Sequence, residues 1–127
     1  MSLEAIYKSL TKEVEKMQEV ESNIQKRLQA YQQLVGQLSE NENVNEDLEV
    51  LTDDNKIYKL IGPVLVEQSL SDARDTIKKR LKFIQDEMKR NDEMIKSLEK
   101  ERDSHREQIL KLQQRFQQEQ TKAALKA

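Results

Sequence analysis

The chain has 127 residues, 36% charged and 35% apolar, with two Gly, one Pro and neither Cys nor Trp. That balance excludes a large-cored globule, a breaker-rich disordered chain and any thiol or disulfide chemistry, and it leaves long helix or coiled coil. The net charge of −2 hides an asymmetry, because residues 1–51 carry ten acidic and five basic side chains whereas residues 70–127 carry eleven acidic and fifteen basic.

The first arm, residues 1–52, repeats with the 3.5-residue period of a coiled coil. One series is Leu3, Leu10, Met17, Ile24, Tyr31 and Leu38; the other is Tyr7, Val14, Glu21, Leu28 and Val35, with Glu21 its single polar break. Behind the polar Ser39–Asn43 the apolar residues shift phase to Val44, Leu48 and Leu51, which predicts a kink near 39–43.

Residues 56–68 break the helical pattern. Lys56 to Ile61 and Val64 to Gln68 are β-branched and apolar enough for two short strands, and Gly62 and Pro63 supply the turn between them. Pairing about that turn makes the numbers of facing residues add to about 125 and sets the two arms antiparallel. Apolar residues fall on both faces of this hairpin: Ile57, Ile61, Val64 and Val66 on one, Tyr58, Leu60 and Leu65 on the other. Nothing else in the chain can cover both faces and both edges, so the insert reads as an assembly element, not a simple turn.

The second arm, residues 70–121, has Ser69 or Ser71 as its N-cap and two seam series. These are Ile77, Ile84, Asn91, Leu98, His105 and Leu112, and Leu81, Met88, Ile95, Arg102, Ile109 and Phe116; residues 122–127 are a tail expected to fray. Carrying the hairpin pairing into the helices gives facing numbers that add to about 126. Leu10 then opposes Phe116, Ile24 opposes Arg102, Glu21 opposes His105, and the acidic block Glu40–Glu49 lies beside Arg74–Lys82. A slip of one heptad, to about 119, keeps the stripes but separates Glu21 from His105.

His105 is the sole histidine and no Gly-rich phosphate loop is present. A catalytic triad, a His-rich metal site and a nucleotide seat are thereby excluded, and no enzyme activity, metal or cofactor is expected. His105 reads as a polar device that fixes register. The basic run Lys78 to Lys82 reads as a solvated or ion-paired helix face, with no nucleic acid as partner. No run reaches the ~18 apolar residues of a membrane span, so a cytoplasmic protein with no membrane contact is expected.

A long helix, the acidic NENVNEDLEVL (Asn41 to Leu51), the hairpin KIYKLIGPVLVEQ (Lys56 to Gln68) and SLSDARDTIKKRLKFI (Ser69 to Ile84) opening a second helix resemble the β-type subunits of the prefoldin family. The resemblance covers nearly the whole chain, and its specific part is the single hairpin with its flanks. It implies one prefoldin-like domain over 1–127, mostly α with a short β-hairpin that closes an intersubunit β-barrel. It further implies a hetero-hexamer of two α-type and four β-type subunits that holds unfolded clients such as actin and tubulin without ATP and passes them to the group II chaperonin. Clients would bind at the tips, which map to Leu3, Ile6, Tyr7, Leu10, Phe116, Ala123 and Leu125. Ile57, Tyr58, Leu60, Ile61, Gly62, Pro63, Val64, Leu65 and Val66 would form the assembly hairpin. A structural coiled-coil adaptor docking one folded partner is the alternative.

Overall fold

The computed structural model describes residues 2–126. Helix α1 spans Leu3–Glu49, strands β1 and β2 span Ile57–Ile61 and Val64–Gln68, and helix α2 spans Leu70–Lys126. Each helix starts on a serine: Ser2 Oγ accepts from the Ala5 amide at 3.1 Å and Ser69 Oγ from the Asp72 amide at 3.1 Å. Both satisfy an amide that the first helical turn would otherwise leave unpaired. Ser69, not Ser71, is therefore the cap of α2. α2 stays helical past 121 to Lys126, and Ala127, the last residue of the segment expected to fray, lies outside the described residues.

The strands pair antiparallel from Ile57↔Gln68 to Ile61↔Val64, each pair adding to 125 as the turn chemistry requires. Gly62 has φ +57°, left-handed backbone that an L side chain resists, and Pro63 follows it in the two-residue turn.

The chain divides into two compact units, Met1–Gln29 with Glu93–Ala127, and Ala30–Asp92. In the second unit Leu48, Leu70, Ala73 and Ile77 form a buried cluster on which Leu51 and Ile57 pack. α1 has no basic residue in its last turn to meet its free carbonyls. Arg74 of α2 caps them instead: Nε and Nη2 donate to Leu48 O at 3.1 and 2.9 Å, and Nη2 reaches Leu51 O at 2.9 Å. Between α1 and β1, Thr52 and Asn55 close a tight turn through Asn55 N to Thr52 O and Thr52 N to Asn55 Oδ1, both 2.9 Å.

The buried face of α2 carries both predicted series. That of α1 differs from expectation. Leu3, Leu10, Met17, Ile24, Tyr31 and Leu38 are buried or half-buried, but they alternate with Ile6, Glu13, Val20, Leu34, Asn41 and Leu48. Tyr7, Glu21, Leu28 and Val35 are exposed. The predicted phase slip is absent as well, since α1 continues through Ser39–Asn43 and Leu38, Asn41, Asn45 and Leu48 keep the alternation. Two companion series, one residue apart, both fit the heptad. The one chosen buries Ile6, Val20 and Leu48, half-buries Leu34, and supplies polar Glu13 where α2 presents polar His105.

The register near 126 is corrected too. His105 bonds to Glu13 at 2.7 Å, not to Glu21, and the Tyr7 ring meets Phe116 with centroids 6.5 Å apart. The first pair adds to 118, within one of the alternative alignment, and the second to 123, between the two alignments. The connections explain the offset in the second unit. Seven residues, 50–56, lead from α1 into β1, but Ser69 alone leads from β2 into α2. That excess of six is the difference between strand pairs adding to 125 and the helix ends Glu49 and Leu70, which add to 119. No ion pair joins the acidic block Glu40–Glu49 to the basic residues Lys78–Lys82. Exposed pairs are worth only ~0–1 kcal/mol, too little to set an alignment against core burial.

Candidate functional site

Two surfaces carry the sequence-predicted site residues, one in each unit. In the second unit the hairpin is the whole sheet, so both strands are edges with unpaired backbone groups on their outer sides. The cross-strand pair Leu60 and Leu65 is 68% and 63% exposed, on one face with the exposed Tyr58. Ile61, Val64 and Val66 on the opposite face are exposed as well, and only Ile57 at the base reaches the helical cluster. A two-stranded ribbon is marginal in water by itself. Here the Thr52–Asn55 turn, Ile57 packing and the Arg74 cap hold its base, while the outer part presents apolar side chains on both faces.

The other surface is the end of the first unit where α1 begins and α2 ends. Leu3, Leu10 and Phe116 are half-buried, whereas Tyr7 is exposed, with its ring tilted by 48° to that of Phe116. Ala123 and Leu125 are exposed. Ile6 is 1% exposed and belongs to the core. The sequence reading placed Ile6 beside Tyr7 as a contact residue because it assigned Tyr7 to the seam; the seam residue is Ile6. Sequence reasoning also passed over Leu110, which is 55% exposed, and the capping role of Arg74. Leu110 directly follows seam residue Ile109, which would have flagged it; nothing in sequence announces the cap, because it depends on where the chain returns. Among the described residues, no three His, Cys, Asp or Glu side chains converge on a metal position. No helix is long and apolar enough to cross a membrane.

A family model described as prefoldin subunit matches residues 11–119, which takes in most of each helix and the whole hairpin. The chain belongs to the prefoldin family. Among relatives, prefoldin subunit 6 of Mus musculus is 42% identical over 121 residues, covering 95% of each chain. The Homo sapiens protein of that name is 42% identical over 95% of this chain and 94% of its own. Probable prefoldin subunit 6 of Drosophila melanogaster is 38% identical over 89% and 90%. The fold of this prefoldin-family chain also matches the crystal structure of the prefoldin beta subunit from Thermococcus strain KS-1, with a TM-score of 0.73 over 80% of this chain and 89% of that one. Identity to that chain is 19%, so this likeness speaks for the fold: two long helices joined by a single antiparallel hairpin.

Proposed function

We propose that this chain is the subunit-6-type, β-type member of a cytosolic hetero-hexamer of two α-type and four β-type prefoldin subunits. The assembly holds unfolded or nascent proteins, actin and tubulin among them, without ATP and delivers them to the group II chaperonin. The observation that carries this reading is the hairpin, apolar and exposed on both faces and open at both edges, in a chain of the prefoldin family. Strand addition from neighbouring subunits supplies the missing edge hydrogen bonds, and closure into a barrel covers the faces. The hairpin therefore holds the assembly together and leaves the helix ends for clients.

Capture works by weak apolar contacts repeated on several arms. Tyr7, Phe116 and Leu125 offer exposed or half-exposed apolar area without a pocket, which suits segments of no fixed sequence. Once one arm holds a client, the others meet it at high effective concentration, so avidity arises without a tight site. The test is suppression of aggregation of a denatured, unrelated protein by the reconstituted assembly in the absence of nucleotide. Removing residues 118–127 and introducing Tyr7→Lys lowers suppression at least threefold while the assembly keeps its mass; full activity in that variant overturns the assignment of the tips.

A further inference from the structure

Glu13 and His105 are two polar side chains joined directly across the seam of the first unit. One carboxylate oxygen, Glu13 Oε2, accepts from His105 Nδ1 at 2.7 Å, with the side chains only 20% and 18% exposed. The other carboxylate oxygen lies 3.8 Å from Lys16 Nζ, and His105 Nε2 lies 3.8 Å from Glu101 Oε1. We infer that this hydrogen bond is the alignment lock of the first unit, and that it positions the capture end; only that last consequence rests on the proposed function.

A heptad seam is nearly indifferent to a slip of seven residues, since each apolar side chain meets another of similar size. The hairpin and the Arg74 cap align the helices in the second unit, and both helices run unbroken into the first, where neither contact lies. A polar contact inside the first unit adds discrimination there that the heptad alone lacks. Slipping one way sets His105 against Val20 and Glu13 against Leu112; slipping the other way sets His105 against Ile6 and Glu13 against Leu98. Either leaves a half-buried carboxylate and an imidazole facing hydrocarbon without a partner, a cost that an all-apolar seam would not impose.

The locked alignment has a visible result at the end of the unit. It brings Tyr7 onto Phe116, and it carries α2 past the start of α1 at Leu3. From Gln120 to Lys126 every residue of α2 is exposed, so Ala123 and Leu125 stand on an exposed helical overhang. In the alignment slipped toward 126 the overhang shortens by seven residues and Tyr7 meets Ala123 in place of Phe116.

The absence of native cysteine makes this directly measurable. In the full-length chain within the reconstituted assembly, a short bis-maleimide joins a Tyr7→Cys, Phe116→Cys pair and not a Tyr7→Cys, Ala123→Cys pair. Adding Glu13→Leu with His105→Leu makes the 7–123 pair react to at least a third of the yield of the 7–116 pair. The exchanged variant, Glu13→His with His105→Glu, restores the 7–116 pair alone. Cross-linking confined to 7–116 in the leucine variant overturns the lock, as does failure of the exchange to restore it. Shifted cross-links with undiminished client capture leave the lock standing and count against the tips as the capture site.

Discussion

Arg74 donates to the carbonyls of Leu48 and Leu51, the place where α1 ends and the chain turns toward the hairpin. A guanidinium suits this position because its planar fork reaches several carbonyls from one stem, while an ammonium is a point donor. Arg74→Ala is expected to lower stability by about 2 kcal/mol, within the range for hydrogen bonds to a charged group. Arg74→Lys is expected to recover part of that loss, and urea unfolding followed by circular dichroism checks both. Ile6 gives the contrasting residue-scale case. Fully buried in the first unit, it is core, and Ile6→Ala is expected to cost about 2–4 kcal/mol in the same measurement. A loss under about 0.5 kcal/mol would return Ile6 to the exposed tip.

The elements were legible in the sequence to very different degrees, for physical reasons. The hairpin was readable almost to the residue, because Gly62 and Pro63 determine the turn and a two-residue turn fixes the pairing of everything beside it. Gly62→Ala therefore tests the element directly. With φ at +57° and no atom within 4 Å of an added Cβ, its cost is backbone strain alone, about 1 kcal/mol. Amide exchange of Lys59 and Ile61, whose N–H groups this pairing turns toward β2, is expected to quicken about fivefold, and an unchanged rate would contradict the turn. The α2 seam was equally readable, because one pair of series outcompetes the rest. On α1 two series one residue apart were both apolar, and the choice between them depends on partners that only the folded chain supplies, His105 above all. The helix alignment was hidden for another reason: it depends on the unequal connections of seven residues and one, and helix boundaries are the least certain feature of a sequence reading. The candidate assembly residues followed from the hairpin; among the tip residues, Tyr7 is exposed and Ile6 is core.

For the whole molecule, the apolar residues divide into those that the chain buries itself and those that it leaves out. The helical seams account for the first group. The second is densest on the hairpin, with Val50 shortly before it in the chain, while Tyr7, Phe83, Leu110 and Leu125 are exposed on the helices. The contiguous exposed apolar surface on a ribbon with two open edges is an aggregation hazard unless other chains cover it. The central claim is that neighbouring prefoldin subunits do so. The most direct test is the native mass of the complex reconstituted with its α-type and β-type partners, comparing the unaltered chain with a Leu60→Glu, Val66→Glu variant whose helical content is verified by circular dichroism. The account predicts a six-subunit mass for the former and release of the latter as a free helical chain; a six-subunit complex that retains the doubly charged hairpin would contradict it.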